Sequence, residues 1–311
     1  MKITLDIKAM LIAASLTACG IAAAQDPAQP DREIDYGVTY VDPLFEYPIA
    51  PETLTDFNEK CDWLAENFWN ALDVKNQNAV DQVKLNHAFN VYATTAQYAK
   101  KEKINATIDK LMKNLQKNPT LLFQFTKAAE ESLYGPRAEV WIDELYVNIL
   151  QQALACKKFP QSRRPRYEEQ LKQLQNSLVG NVPASFDFKR ANGDAGKYFP
   201  MSTPTILFFG DPGCDDCRMS RLRMESNVAF SKAVTDGKLN VLYIIPDAEP
   251  GWEKDTENYP KSWTVGASDT VAGIYDLRDT PDIYLIDGDG KIIAKHIGTM
   301  DAIRRALELV K

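Results

Sequence analysis

Two cysteines separated by two residues are the clearest candidates for chemistry in this sequence. Cys214 and Cys217 lie in the segment GDPGCDDC, with Asp215 and Asp216 between them. A thiolate is the attacking group in thiol–disulfide exchange, and a second thiol at this spacing can close a disulfide with the first. The pair therefore suits a dithiol that opens and closes; half of a zinc site and a purely structural disulfide are the competing interpretations.

Composition argues against both competing interpretations. A zinc site needs about four ligands, but the chain has two histidines, His87 and His296, and no second Cys-x-x-Cys. His296 alternates within an apolar strand pattern, and we interpret it as structural. A disulfide that closes so small a loop stabilises a fold least. We therefore expect no metal, and no cofactor beyond the Cys214–Cys217 disulfide itself.

The elements around the pair are predicted from hydrophobicity. The apolar run TPTILFFG precedes the cysteines and is typical of a buried central strand. A helix is predicted from the cysteines to about Thr235, which puts Cys214 at a helix N-terminus. Backbone N–H groups and the helix dipole favour a thiolate there. Asp215 and Asp216 oppose this by charge repulsion, and Arg218 offsets part of it.

The sequence around this junction predicts an α/β layout for residues 179–311. Alternation in SFDFKRANGDAG indicates a strand with a turn at Asn192–Gly193. KLNVLYIIP predicts a second buried strand, DIYLID and KIIAKHIG a hairpin, and MDAIRRALELVK a closing amphipathic helix. A polar insertion carries Trp252 and Trp263, which either rim the site or pack elsewhere.

The preceding half of the chain has a different spacing of apolar residues. Apolar residues recur at helical spacing in five stretches, which predicts an all-α domain over residues 48–160 and a linker helix over 161–178. This half shows no cluster of catalytic residue types. Cys61 lies in the first predicted helix and Cys156 at the end of the fifth. Two interpretations stay open for them: a structural disulfide, or two buried thiols.

The N-terminus predicts export. Residues 1–24 have the apolar run of a signal peptide, and residues 25–47 resemble a tether rich in Pro, Asp and Gln. Cleavage before Gln25 and lipid modification at Cys19 within LTAC are both open. Either would put the protein in a bacterial envelope, as a periplasmic or a lipid-anchored protein. The net charge of -7 argues against a nucleic-acid partner.

From about Val179 the sequence resembles the thioredoxin fold, and more narrowly the TlpA/ResA group of envelope proteins. The resemblance rests on VGNVPASFDF, ILFFGDPGCDDC and YDLRDTPDIYLIDGDGKIIAKHIG. It implies that Cys214 attacks, that Cys217 resolves, and that Thr280 and Pro281 form the cis-proline position that holds a partner's disulfide. The stretch CDWLAENFWNALDV resembles a helical domain of unknown function that precedes such domains in Bacteroides-type bacteria. That second resemblance implies architecture and location but no activity.

The sequence departs from thioredoxins at the motif. Gly213 replaces the usual aromatic residue, two aspartates replace Gly-Pro, and Phe208 replaces the buried acid six residues before the first cysteine. We expect an exported thiol–disulfide oxidoreductase that reduces envelope protein disulfides and takes electrons from a membrane or periplasmic donor. The alternative is a redox-quiet envelope binding module that uses the thioredoxin fold as a scaffold.

Overall fold

The computed structural model describes residues 41–75, 79–135 and 138–311. The predicted signal peptide (1–24), both of its processing sites at Cys19 and Gln25, and most of the predicted tether lie outside the described residues. The chain divides into two compact units, with the boundary after Pro160. In the described parts of the chain, no helix combines the length and the apolar character needed to cross a membrane.

The first unit is helical. Its described residues form five α-helices, α1–α5, and a 3₁₀ turn: Phe57–Asn67, Gln82–Ala96, Lys101–Leu115, Pro119–Leu133, Asp143–Ala155 and Phe68–Ala71. Asp56, Asp81 and Asn118 cap α1, α2 and α4, since each side chain accepts a hydrogen bond from a backbone N–H of the first turn. Aromatic rings fill much of the core, among them Phe68, Trp69, Phe89, Tyr92 and Phe125.

A Cys61–Cys156 disulfide, one of the two interpretations from sequence, is wrong. Asp62, next to Cys61, accepts a hydrogen bond from Lys100 N (2.7 Å) just before α3 begins. Cys156 Sγ donates to Gln116 O (3.8 Å) just after α3 ends. The 15 residues of α3 span about 22 Å, whereas a disulfide needs Cα atoms within about 7 Å. Both cysteines are buried thiols, and no disulfide joins them.

The second unit opens with α6, Arg164–Ser177, and contains a seven-stranded sheet in the order β2-β1-β5-β4-β3-β6-β7. Strand β3 is parallel to β4 and antiparallel to β6, and β4 is parallel to β5. The strands β1–β7 are Phe186–Arg190, Ala195–Tyr198, Thr205–Phe209, Asn240–Ile245, Thr264–Ala267, Asp282–Ile286 and Ile292–Ala294. The helices α7–α10 are Asp215–Ser226, Val228–Thr235, Trp252–Asp255 and Thr299–Leu309.

Strand β3 is buried along its whole length, as its apolar sequence predicts. Ile206 and Phe208 face one hydrophobic core, which also contains residues of α7, α8 and α10. Leu207 and Phe209 face a second core on the other side of the sheet. The alternation of side chains along a strand produces these two faces, and the dithiol is on the first of them.

Two predicted elements differ in the structure. The helix after the cysteines is broken at Asn227, because its side chain accepts a hydrogen bond from Phe230 N (3.0 Å) and caps the new helix α8. The polar insertion contains the short helix α9 and is followed directly by strand β5. Trp252 and Trp263 within it are 7% and 8% exposed and belong to the hydrophobic core. Both rings are therefore packed inside the domain, in the same core cluster as Cys217.

Candidate functional site

The dithiol lies where β3 passes into α7. Gly210 N donates to Ile244 O (3.0 Å), which continues the pairing of β3 with β4 by one residue. Asp211 then closes a turn: its side chain accepts from Gly213 N (2.7 Å) and its carbonyl accepts from Cys214 N (3.1 Å). This turn sets Cys214 as the N-cap of α7.

The two sulfur atoms have unequal surroundings. Cys214 is partly exposed, whereas Cys217 is 1% exposed and lies in the core. Cys217 N donates to Cys214 Sγ (3.2 Å), so the Cys214 sulfur receives a backbone hydrogen bond at the helix N-terminus. The N–H dipole and the helix N-terminus place partial positive charge beside this sulfur. Cys214 can therefore meet a partner while Cys217 cannot do so directly.

The Cys217 thiol is held in its protonated form. Burial raises the pKa of Cys217 to about 12, and the hydrogen bond with Cys214 acts in the same direction, while the Asp211 backbone N–H lowers it. The negative charges of Cys214 and Asp211 add to the rise. At neutral pH Cys217 thus keeps its proton until the chemistry requires its removal.

The predicted tuning residues are at the surface. Asp215 is 86% exposed in its side chain and pairs with Arg218 (2.8 Å), and Asp216 is also exposed. An exposed ion pair contributes about 0–1 kcal/mol because water and salt screen it. These charges lie in the first turn of α7, and their effect on Cys214 is therefore small.

Thr280 and Pro281 lie against the dithiol, 66 residues along the chain from it. The Thr280–Pro281 peptide bond is cis. The Cys214 thiol donates to the Thr280 carbonyl (3.8 Å), which puts this loop at the exposed sulfur. The structure therefore brings Cys214, Cys217, Thr280 and Pro281 together.

A buried charge network that the sequence analysis missed supports this loop. Asp282, directly after Pro281, is 2% exposed, and His296 Nδ1 lies 2.9 Å from both of its carboxylate oxygens. Asp276, also buried, bonds His296 Nε2 (3.3 Å), Lys295 Nζ (3.0 Å) and Arg278. The only sequence signal was charged residues next to apolar strand patterns, and it did not show that they meet.

The network shifts two pKa values. Burial alone would raise the pKa of Asp276, but hydrogen bonds with His296 and the positive charges of Lys295 and Arg278 outweigh it and bring that pKa well below its usual range. Burial alone would lower the pKa of His296, but its bonds to Asp276 and Asp282 raise it instead. The interpretation of His296 as structural agrees with this placement.

An aromatic cluster lies under Cys217. The Phe208 ring stacks on Tyr243 with centroids 4.7 Å apart, and Tyr259 packs edge-on against Tyr243 at 5.1 Å. The Arg221 guanidinium lies 4.4 Å from the Tyr259 ring centroid. Phe208 thus fills, with an apolar ring, the position where the thioredoxin resemblance implies a buried acid.

The fold and the strand–Cys-x-x-Cys–helix junction define a thioredoxin-like domain, and residues 198–310 match the thioredoxin-like domain family. Residues 18–177 match the family described as a domain of unknown function, DUF5106, and the chain belongs to it. The predicted fold class is confirmed: a helical region is followed by a sheet-containing thioredoxin-like domain. The predicted resemblance is likewise confirmed for both halves of the chain.

Solved structures from Bacteroides are similar to this chain. A thioredoxin-like protein from Bacteroides caccae is 21% identical with a TM-score of 0.71, and the match covers 86% of this chain and 99% of that one. A conserved protein of unknown function from Bacteroides fragilis is 32% identical with a TM-score of 0.39, covering 42% and 98%. The thioredoxin domain of a thiol-disulfide oxidoreductase from Bacteroides vulgatus is 21% identical with a TM-score of 0.37, covering 43% and 99%. No curated protein matches the sequence.

Proposed function

We propose that the protein is a thiol–disulfide oxidoreductase that reduces disulfides of other proteins in the bacterial envelope. One observation carries the proposal. Cys214 is partly exposed, its sulfur receives the Cys217 backbone N–H and faces the Thr280 carbonyl, and the second thiol is buried. A structural disulfide would need neither the exposure nor this asymmetry.

The reaction has two exchange steps. The Cys214 thiolate attacks one sulfur of the partner's disulfide; that S–S bond breaks, a Cys214–partner bond forms, and the released partner sulfur takes up a proton. Cys217 loses its proton and attacks the Cys214 sulfur, so the Cys214–partner bond breaks and the second partner sulfur takes up the proton. The partner gains two electrons, and Cys214 and Cys217 become a disulfide.

Thr280 and Pro281 hold the partner in this scheme. The Thr280 carbonyl lies at the attacking sulfur, and an extended partner segment beside it can pair with the backbone before Pro281. The buried Asp282–His296 contact anchors the chain immediately after the proline. The loop therefore supplies a rigid edge next to Cys214.

Electron flow toward the partner is supported by the charges around the dithiol. An oxidant owes its high potential to a stabilised reduced form. Here burial keeps Cys217 a thiol, and the exposed Asp215 and Asp216 add a weak repulsion of a thiolate at Cys214. We therefore propose a potential near or below roughly -200 mV, with a membrane or periplasmic dithiol protein as the electron donor.

Insulin reduction with dithiothreitol tests the activity. The wild-type protein should accelerate the reaction, and the Cys214→Ser/Cys217→Ser variant should lose the acceleration. The matched control is Cys61→Ala/Cys156→Ala, which removes the other two described cysteines and should retain it. Equal activity of the Cys214→Ser/Cys217→Ser variant would instead support the redox-quiet binding module.

Location in the envelope has a separate test. The export signal predicted in the sequence supports location in the envelope. Protein disulfides, the proposed substrates, form and persist in such an oxidising compartment. Intact-mass measurement of the protein from its native host should give a chain that begins at Gln25 or at a lipid-modified Cys19. A mature chain that still carries Met1 would contradict export.

A further inference from the structure

The two backbone groups of Thr280 that could pair with a partner segment are both occupied in the structure. The Thr280 carbonyl accepts from the Cys214 thiol (3.8 Å), and the Thr280 N–H donates to Asp279 Oδ1 (2.8 Å). Asp279 and Thr280 are both exposed. A partner therefore meets this edge of the site with its hydrogen-bonding groups already in use.

The two occupied groups become available in different ways. Ionisation of Cys214 frees the Thr280 carbonyl, because a thiolate has no proton to donate. The event that makes Cys214 a nucleophile thus also opens the acceptor beside it. The Thr280 N–H stays bonded to Asp279, whose carboxylate takes no part in the exchange reaction. This donor opens only when another group displaces the carboxylate.

The displacement is confined to the Asp279 side chain. The loop around it is held in place: Arg278 N donates to the buried Asp282 (3.4 Å), and the Arg278 guanidinium bonds the buried Asp276 (2.8 Å). Asp279 is exposed by contrast, and an exposed side chain changes rotamer readily. The carboxylate can therefore swing away while the backbone of Thr280 keeps its position.

A negative charge at this position discriminates among partners. An exposed N–H at a chain edge can pair with almost any extended segment, and charged side chains at such edges limit that pairing. The Asp279 carboxylate repels an acidic segment, whereas a basic segment can hold the displaced carboxylate in an ion pair. A partner with Lys or Arg thus offers a carbonyl to the N–H and a cation to the carboxylate.

The positively charged side chains nearest in sequence to the site have anionic partners of their own. Arg218 pairs with Asp215 (2.8 Å), and Arg278 pairs with Asp276 (2.8 Å). The displaced Asp279 carboxylate would have to compete for either of them. A cation on the partner segment is free of that competition.

We propose that Asp279 is a specificity-determining residue: its carboxylate covers the Thr280 N–H and yields this donor to partner segments that carry Lys or Arg beside their disulfide. This rests on the proposed exchange reaction and narrows its substrates to basic protein segments. Asp279 takes up no proton and forms no covalent bond. The bonds that form and break remain those between sulfur atoms.

Peptide disulfides of matched sequence test the proposal. The probes are disulfide-linked dimers of one short capped peptide with Lys, Gln or Glu on both sides of its cysteine, and 2-hydroxyethyl disulfide as a neutral probe without a peptide chain. The full-length reduced protein is oxidised by each in a single turnover, and acid quenching with peptide mapping follows the Cys214–Cys217 disulfide. Each rate is divided by that of dithiothreitol with the same probe, which removes the probe's intrinsic reactivity.

The wild-type protein should react about tenfold faster with the Lys dimer than with the Glu dimer at low salt, and less so at high salt, which screens charges. Asp279→Ala should bring this ratio below about threefold and should accelerate the reaction of the Gln dimer about fivefold, the size of one net hydrogen bond. The rate with 2-hydroxyethyl disulfide should stay unchanged, because that probe has no backbone to pair with Thr280.

Two further variants separate the hydrogen bond from the charge. Asp279→Asn keeps an acceptor oxygen and loses the charge, so the ratio of Lys to Glu dimer should fall while the Gln dimer keeps a rate near that of the wild-type protein. Asp289→Ala is the matched control. It removes one exposed negative charge in the turn that follows β6, whereas Asp279 precedes β6, and it should leave every rate unchanged.

The outcomes distinguish this proposal from the proposed function. Failure of the wild-type protein to form the Cys214–Cys217 disulfide with any probe overturns the proposed function. Normal oxidation by 2-hydroxyethyl disulfide with equal rates for the Lys and Glu dimers, or a ratio that Asp279→Ala leaves unchanged, overturns the role of Asp279 alone. The same follows if Asp279→Asn reacts with the Gln dimer as fast as Asp279→Ala does, because the side-chain oxygen would then not cover the N–H.

Discussion

The described residues contain two pairs of cysteines that differ in arrangement. Cys61 and Cys156 are 4% and 8% exposed and lie near opposite ends of one helix, α3. Cys214 and Cys217 lie on one helical turn, with one sulfur exposed and the other buried. The comparison teaches that burial alone does not bring two thiols together. Contact between two sulfurs, with access to one of them, is what separates the pairs.

Mixed-disulfide trapping should show the largest effect of the difference between the exposed and the buried cysteines. Cys217→Ser removes the resolving thiol, so complexes with partner proteins should accumulate through Cys214 in cells of the native host. Cys214→Ser should trap none, because Cys217 is buried. Non-reducing gels followed by mass spectrometry measure this. Equal trapping by Cys214→Ser would show that the roles of the two cysteines are reversed.

Alkylation rates should rank the four thiols of the folded, reduced protein. Cys214 should react with iodoacetamide at least about 100-fold faster than Cys61, Cys156 or Cys217, because opening of a folded core is a rare event and the thiolate is the reactive form. Quenched-time peptide mapping gives each rate. A fast Cys61 or Cys156 would refute the packing of the helical unit described above.

Alkaline pH should destabilise the reduced protein more than the oxidised one. The Cys217 pKa is raised to about 12 by burial, and burial, followed by the charges of Asp62 and Asp56, also raises that of Cys61. Between the ordinary thiol value of 9.0 and the raised value, the unfolded chain releases a proton that the folded protein keeps. The free energy of unfolding therefore falls with rising pH, by at most about 1.4 kcal/mol per pH unit for each thiol.

Urea unfolding at pH 8 and pH 10 measures this effect. Oxidation removes the Cys217 contribution because a disulfide cannot titrate, whereas the Cys61 contribution remains in both forms. Cys61→Ala should reduce the slope in both forms equally. A slope that is the same in reduced and oxidised wild-type protein would contradict the burial of an ionisable Cys217.

The smallest expected effect concerns the aspartates between Cys214 and Cys217. Asp215→Asn/Asp216→Asn removes two negative charges from the first turn of α7, which stabilises the Cys214 thiolate and so the reduced form. The potential should rise by about 10–30 mV, given that 30 mV corresponds to about 1.4 kcal/mol for this couple and that exposed charges act weakly. Equilibration with glutathione measures it. A fall in potential would refute the tuning role of these residues.

Much of the fold could be predicted from local sequence. The apolar run of β3, the Asn192–Gly193 turn and the five helical stretches of the first unit all lie where their patterns indicate. Helix α9 could not, because the segment DAEPGWEKDTENYPKSW is polar overall and its two tryptophans are isolated in it. Only the packing around them shows that both rings are core residues.

The dithiol and the Thr280–Pro281 loop could also be proposed from sequence, the first from its spacing and the second from a family resemblance. The surroundings of Cys217 could not. Tyr243 is 26 residues from Cys217 in the sequence. Because it lies in an apolar strand pattern, the sequence predicts only that it is a core residue. The parallel pairing of β3 with β4 is what sets it beside Phe208.

By itself the sequence predicted a dithiol site, because a Cys-x-x-Cys between a buried strand and a helix is a local pattern of a few residues. It also determined the order of a helical half and an α/β half, since each has its own hydrophobic period. Tertiary structure decided which groups meet: that α3 separates Cys61 from Cys156, that His296 reaches Asp276 and Asp282, and that Tyr243 stacks on Phe208. These contacts depend on strand order and helix packing, which bring together residues that no local pattern connects.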